Sequence, residues 1–173
     1  MTRITLNIFD VTPLRAAALA TALSLAFTPL AAQDFQKGLA AYQAGDYATA
    51  LQEWTPLAEQ GNGNAQWYLG VMSEHGQGIL QDYAAAFKLY SLAAKQGDAY
   101  AQYRLGNMYQ YGDFVLQDNV MSHMWYNMAS ANGVDMVGKS RDELAVIMTS
   151  ADISKAQAMA RECMSSGYKK CGY

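Results

Sequence analysis

The stretch GDAYAQYRLGNMYQYG, residues 97–112, repeats an earlier stretch, GNGNAQWYLGVMSEHG, residues 61–76. The positions they share lie 36 residues apart: Gly61 and Gly97, Ala65 and Ala101, Leu69 and Leu105, Gly70 and Gly106, Gly76 and Gly112. Asp82 and Asp118 continue the same period, and Gly133 adds a third copy of the first glycine. A fixed period of this length indicates one supersecondary unit stacked on copies of itself.

Each full repeat divides into two predicted helices. The first runs from near residue 64 to 76, and again from near 100 to 112. The second begins after Asp82 or Asp118, whose carboxylate can accept from free backbone N–H groups. It ends at Gly97 or Gly133, because glycine readily takes the left-handed conformation that stops a helix. A shorter unit precedes them, since Gly38 to Asp46 spans eight residues where Gly70 to Asp82 spans twelve.

Small and large side chains recur side by side in the second helices. The small residues are Ala50, Ala86 and Ser122, and the large ones are Trp54, Tyr90 and Tyr126. Small side chains let helix backbones approach closely, and the large ones fill the space beside them. In the loops, the apolar pairs Ile79–Leu80 and Val115–Leu116 are expected to fold back onto the helices.

The tail after Gly133 leaves the repeat. Residues 141–148 form one short predicted helix, and residues 151–164 form a second. Thr149 and Asp152 resemble a capping box at the start of the second helix. This pair is placed to cover the last exposed apolar face of the stack, as a terminal unit must.

Residues 1–32 have the pattern of a secretory signal peptide. Arg3 and Arg15 precede an apolar stretch, residues 16–30, and Ala31 and Ala32 follow it. The apolar stretch is short for a membrane span, which needs about 20 residues. Cleavage is expected after Ala32, with a cut one residue earlier or later as the alternative. An uncleaved anchor is the other interpretation of this segment.

Charge and cysteine content narrow the class of protein. The formal net charge of −3 and the lack of a basic run argue against a nucleic-acid partner. Cys163 and Cys171 lie eight residues apart near the end of the chain. In an exported protein they predict one disulfide, whereas in a reducing compartment they would be two free thiols.

Residues 97–112 and 125–133 resemble the opening and closing halves of the Sel1-like repeat, and 62–97 resembles a second copy. Gly38, Asp46 and Ala50 are more similar to the shorter tetratricopeptide repeat, the parent superfamily. The resemblance implies an all-α fold, a right-handed α-solenoid of about three antiparallel helix pairs. Residues 33–133 would form the repeats, and 134–173 a two-helix cap with the disulfide. One departure is Phe114, where the preceding repeat has Gly78, and it puts the shape of that loop in question.

The resemblance also implies a function class. Members scaffold protein complexes, and exported bacterial members act in envelope signalling or host contact. The first helices of such stacks line the concave face, which yields a set of candidate partner-binding residues: Asn64, Trp67, Glu74, His75, Tyr100, Tyr103, Asn107, Gln110 and Tyr111. Trp67 and Tyr103 are expected to pack between helices. Asn64, Glu74, His75, Asn107 and Gln110 are expected to stay exposed, either as ligand contacts or as ordinary wet surface.

Catalytic chemistry has little support in the sequence. No hydrolase elbow, metalloprotease helix, phosphate loop or dinucleotide fingerprint is present. Ser166 and Lys169 match the Ser-x-x-Lys pattern of penicillin-binding enzymes, so a cell-envelope enzyme of β-lactamase or penicillin-binding type is the alternative function. Three methionines beside His123 could suggest a copper site, but methionines at helical spacing more often belong to a core. The expectation is therefore a periplasmic or secreted interaction module, not an enzyme, without metal or cofactor.

Overall fold

The computed structural model describes residues 34–171, and regular structure in that range is entirely helical. Its eight helices are α1 (Phe35–Gln43), α2 (Tyr47–Glu59), α3 (Gly63–His75), α4 (Tyr83–Ala94), α5 (Ala99–Tyr111), α6 (Asn119–Ala131), α7 (Val137–Val146) and α8 (Ser150–Ser165). The predicted all-α architecture is confirmed. The predicted signal peptide, residues 1–32, lies outside the described residues.

A short polar side chain starts each of the six repeat helices. The residue before the helix is an aspartate or asparagine, and its side-chain oxygen accepts from backbone N–H groups of the first turn. These caps are Asp34, Asp46, Asn62, Asp82, Asp98 and Asp118. The two caps predicted for the second helices are confirmed. Thr149 caps α8, also as predicted, by accepting from the backbone N–H of Asp152 at 3.1 Å.

Glycines end the helices where the period predicts them. Gly76 and Gly112 close α3 and α5 in the left-handed region, at φ 66° and 75°. Gly97 and Gly133 follow α4 and α6 at φ 88° and 98°. A residue with a Cβ would be strained in these conformations, so the repeating glycines set the length of each helix.

One close contact joins the two helices of each pair. A glycine in the first helix lies against the aromatic ring of the second, and Trp54, Tyr90 and Tyr126 are fully buried there. A Cβ added to the glycine would come within 2.4 to 2.6 Å of ring atoms: Gly38 against Trp54, Gly70 against Tyr90, Gly106 against Tyr126. The small residues of the predicted packing, Ala50, Ala86 and Ser122, are fully buried as expected. The residue that touches each ring, however, is a glycine of the first helix, and glycine is required there because the backbone itself lies against the ring.

Side-chain amides tie each repeat to the next. Gln66 Nε2 donates to Ala58 O at 3.0 Å, and Gln102 Nε2 donates to Ala94 O at 3.1 Å. The oxygens of the same two amides accept from residues that directly follow the second helix of their own pair. Gln66 accepts from Gln96 at 2.7 Å, and Gln102 accepts from Asn132 at 2.8 Å. We call this set the amide ladder.

The loops inside the repeats correct one expectation. Val115 is partly buried against the core, but Ile79 is exposed, and Leu80 and Leu116 are each 92% exposed and do not fold back. The neighbouring glutamine explains this, because Gln81 Nε2 donates to Glu74 O at 2.8 Å and Gln117 Nε2 donates to Gln110 O at 2.7 Å. In extended chain, successive side chains point to opposite sides, so an inward glutamine turns the preceding leucine outward.

The C-terminal tail forms the two helices expected of a cap, although α7 begins four residues before the predicted start. Helix α8 packs against α6 through Ala156, Ala160 and Cys163, all of which are buried in the core. Cys163 and Cys171 are joined in a disulfide, as predicted. Tyr168, inside that closed loop, donates through its hydroxyl to Asn132 Oδ1 at 3.1 Å. The cap is thus tied to the end of the amide ladder.

Candidate functional site

The nine candidate residues lie on α3 and α5, and burial divides them into three groups. Asn64, His75, Tyr100 and Tyr111 are exposed, and Trp67, Tyr103, Asn107 and Gln110 are partly buried. Glu74 is only 9% exposed. The expectation that Glu74 lies at the surface is therefore wrong. Glu74 is buried because its carboxylate is bonded to side chains of two neighbouring helices.

Glu74 is held between two neighbouring helices. Its Oε2 accepts a hydrogen bond from Tyr90 OH of α4 at 2.6 Å, and its Oε1 forms an ion pair with Arg104 of α5. Burial, and then the adjacent carboxylate, raise the pKa of Tyr90 well above its usual value, so the phenol stays protonated and donates. Arg104 thereby supplies the charge that a buried carboxylate requires.

The equivalent position in the next repeat carries no charge. Gln110 replaces Glu74, and Tyr126 OH lies 2.6 Å from both Gln110 Oε1 and Asn107 Oδ1. Burial raises the pKa of Tyr126 as well. Asn107 and Gln110 therefore hold a core tyrosine in place, which limits what they can offer to a partner.

Aromatic rings link the two first helices into one surface. Trp67 of α3 lies 5.2 Å from the ring of Tyr90 and 6.0 Å from that of Tyr100 on α5. Tyr103 lies 5.9 Å from Tyr126. Trp67 and Tyr103 thus pack between helices as expected. Tyr100 and Tyr111 remain 59% and 67% exposed, and these two tyrosines are the largest accessible side chains of the candidate set.

The residues considered for chemistry have structural roles. Ser166 Oγ donates to Cys163 O at 2.7 Å and accepts from the backbone N–H of Lys170 at 3.0 Å, which closes the end of α8. The methionines beside His123 belong to the buried core of α6. His123 is 2% exposed, and burial lowers its pKa. Within residues 34–171, no group of three or more His, Cys, Asp or Glu side chains is placed to hold a metal ion.

Sequence reasoning missed Arg104, which completes the Glu74 network. No periodic signal marks this residue, because the equivalent residue of the preceding repeat is Tyr68. Across the described part of the chain, no helix combines the length and apolar character needed to cross a membrane.

Two solved structures are similar to this chain. One is a protective antigen present in uropathogenic Escherichia coli strains, displaying an SLR fold, with 24% identity and a TM-score of 0.69 over 76% of this chain. This chain covers 30% of that larger one, and the likeness shows the fold alone. The other is a Sel1 repeat protein from Oxalobacter formigenes, with 33% identity and a TM-score of 0.57. That match covers 62% of this chain and 86% of the Oxalobacter chain.

No curated protein matches the chain. The Sel1 repeat matches at residues 63–98 and again at 99–134, which are the two helix pairs α3–α4 and α5–α6. Each match is 36 residues long, the period read from the glycines. The shorter pair α1–α2 is outside both matches, in line with its reduced turn. With its two full repeats, its solenoid architecture and its likeness to the Oxalobacter protein, this chain belongs to the Sel1 repeat family.

Proposed function

We propose that the chain is an exported interaction module that binds a protein or peptide partner along the face of α3 and α5. One observation carries the proposal: Tyr100 and Tyr111 are 59% and 67% exposed on a face whose other aromatic rings are packed inside. Tyrosine is enriched at protein interfaces because its ring is apolar and its hydroxyl can form a hydrogen bond. Asn64 and His75, which are exposed on the neighbouring helix α3, would supply a polar rim.

The underlying structure keeps this face rigid. Trp67 lies between Tyr90 and Tyr100, and the Glu74–Arg104 ion pair joins α3 to α5. A rigid surface loses little conformational entropy when a partner binds. The family membership of the chain supports the same class of function, since Sel1 repeats are typical of protein-interaction scaffolds.

A capture experiment tests the proposed face. The double variant Tyr100→Ala/Tyr111→Ala removes the exposed rings. It keeps the ring contacts of Trp67 with Tyr90 and of Tyr103 with Tyr126, although Trp67 loses its contact with Tyr100. Val146→Ala/Ile147→Ala is the matched control, because these side chains are 83% and 72% exposed on the cap. Cross-linked partners from the cell envelope should be lost with the tyrosine variant and retained with the control. Recovery of the same partners with both variants would refute the proposed face.

We place the protein in the periplasm or outside the cell, with residues 1–32 removed. The disulfide between Cys163 and Cys171 supports an oxidising compartment. Mass spectrometry of the chain recovered from the host should give a mature form that starts at Gln33 and carries no free thiol. A cytosolic fraction holding the full-length, reduced chain would contradict this location.

An enzyme of β-lactamase type has no observation in its favour, because the Ser166 hydroxyl is engaged with the backbone of its own helix end. Incubation of the purified chain with the chromogenic cephalosporin nitrocefin is expected to give no turnover. Turnover that disappears in Ser166→Ala would overturn this expectation.

A further inference from the structure

A cavity of about 320 Å³ lies at the junction between the second and third helix pairs, lined by Glu74, Tyr83, Asp113 and Phe114. We call it the junction cavity. The same four positions exist at the preceding junction. Tyr47, Gln77 and Gly78 lie 36 residues before Tyr83, Asp113 and Phe114, and Tyr42 corresponds to Glu74 once the four missing loop residues are counted.

The preceding junction is filled by the protein itself. Tyr42 OH donates to Gln77 Oε1 at 3.1 Å, and Gln77 Nε2 donates to Tyr47 OH at 3.2 Å. The rings of Tyr42 and Tyr47 lie 5.6 Å apart in an edge contact. The loop also touches α2 directly, because a Cβ on Gly78 would come within 2.6 Å of Tyr47 Cβ.

Three residue differences open the second junction, and the first is Glu74, which stands where the preceding junction has the ring and hydroxyl of Tyr42. Phe114 keeps the left-handed backbone of Gly78, with φ 68° against 72°, although phenylalanine rarely adopts it. Its side chain prevents the close approach that Gly78 makes, and its ring lies 6.2 Å from that of Phe87. Asp113 replaces Gln77, and an ionised carboxylate has no N–H with which to form the two-way bridge. The junction cavity therefore occupies the position that the Tyr42–Gln77–Tyr47 hydrogen bonds fill in the preceding junction.

The chemistry of the junction cavity favours a cation with a flat, partly apolar head. Tyr83 and Phe114 are 46% and 57% exposed, so both offer ring surface. None of the ion pairs found among the described residues uses Asp113, whereas Glu74 already has Arg104. A guanidinium group can lie on aromatic faces and pair with a carboxylate at the same time. It is also more weakly hydrated than the ammonium group of lysine.

We propose that the junction cavity binds an arginine side chain of the partner protein, with Asp113 as the charge partner and Tyr83 and Phe114 as the walls. This rests on the proposed function and names the chemistry that the partner must present. Since Glu74 lines the cavity and also belongs to the network between α3 and α5, the bound arginine lies next to the proposed tyrosine face.

The test is an NMR titration of the full chain with a single-residue probe, N-acetyl-arginine methylamide. Its uncharged isostere, the citrulline derivative, and the lysine derivative serve as comparisons. Amide resonances of residues 83 and 112–114 should shift and saturate with a Kd of roughly 1–50 mM, as expected for one side chain. Equal binding of the citrulline probe, tighter binding of the lysine probe, or shifts confined to other residues would each overturn the proposal.

Variants locate the interaction. Asp113→Asn should weaken the arginine probe about fivefold, the scale of one exposed charge pair. The matched control is Asp135→Asn, an exposed aspartate in the turn before α7, which should leave binding unchanged. The pair Asp113→Gln/Phe114→Gly restores the two loop residues of the preceding junction. It should abolish binding, because it removes the carboxylate and one aromatic wall, while circular dichroism stays native. Unchanged affinity in Asp113→Asn would sink the assignment.

The two proposals fail separately. If the arginine probe does not bind and partner capture still depends on Tyr100 and Tyr111, the proposal for the junction cavity is rejected and that for the interaction face stands. If the arginine probe binds at residues 112–114 and the tyrosine variant still captures the partner, the proposed face is rejected and the proposal for the cavity stands.

Discussion

Replacing Gly106 with alanine should destabilise the protein, although an alanine normally stabilises a helix interior. The usual gain from Gly to Ala is about 0.5–1 kcal/mol. Here the new Cβ would lie 2.4 Å from Tyr126 Cε1, far inside contact distance. The ring cannot easily move away, because its hydroxyl lies 2.6 Å from both Asn107 Oδ1 and Gln110 Oε1. Overpacking of this kind costs about 1–3 kcal/mol.

The measurement is urea unfolding followed by circular dichroism and by tryptophan fluorescence, which must coincide for a two-state treatment. Gly138→Ala is the matched control, since Gly138 lies in α7 and an added Cβ there meets no atom within 4 Å. The free energy of unfolding should fall by about 1–3 kcal/mol in Gly106→Ala and rise by about 0.5–1 kcal/mol in the control.

A second cycle isolates the contact. In a Tyr126→Leu background the cost of Gly106→Ala should shrink, because the ring that the Cβ strikes is gone. The reasoning is refuted if Gly106→Ala stabilises the protein as Gly138→Ala does, or if the cost is the same with and without the ring.

Three further predictions concern buried groups. Glu74→Gln should lower the unfolding free energy by about 2–3 kcal/mol, because it leaves Arg104 without its counter-charge. The loss should be smaller than for a fully buried ion pair, since 30% of the Arg104 side chain is exposed. Burial lowers the pKa of His123, so as pH falls the unfolded chain binds a proton at this residue before the folded chain does. The free energy of unfolding should therefore decrease below about pH 6.5, the usual pKa of histidine. The variant His123→Gln should lose this pH dependence. The double variant Cys163→Ser/Cys171→Ser should lower the unfolding free energy by about 2–3 kcal/mol, through loss of the closed loop.

Controls decide each of these three. Lys139–Glu143 is an exposed pair, so Glu143→Gln should change stability by less than about 0.5 kcal/mol, and an equal loss in Glu74→Gln would contradict the buried network. For His123, the compared quantity is the difference in urea midpoint between pH 7.5 and pH 5.5, and identical differences in both proteins would reject the argument. For the disulfide, reduction of the wild type should reproduce the double variant.

Much of the fold is predictable because the deciding contacts involve the backbone. The glycine of each first helix meets a ring of the second, so both residue types recur at a spacing of 36 residues in the two full repeats, as at Gly106 and Tyr126. Helix starts are equally visible, since a capping carboxylate such as Asp82 serves only its own first turn. Such local requirements leave a periodic trace in the sequence.

The candidate site is less predictable because its contacts cross between repeats and do not recur. The ion pair of Glu74 with Arg104 spans 30 residues, and neither member has the same residue type one repeat away. Leu116 is also mispredicted, because an apolar residue suggests burial. The hydrogen bond from Gln117 to Gln110 O directs the neighbouring Leu116 side chain into solvent. Phe114 adopts a conformation that residue type alone argues against.

The amide ladder has a consequence for how the molecule comes apart. A solenoid whose repeats touch only by apolar packing can lose its terminal units one at a time, since each unit has its own intrinsic stability. Here, unfolding the pair α5–α6 would separate Asn132 from Gln102 and Gln102 from Ala94 O, leaving that carbonyl of α4 only its turn hydrogen bond from the Gly97 N–H. The amides therefore raise the interfacial share of the free energy. We expect the stack to melt in a single cooperative transition, and to resist pulling as one stiff element.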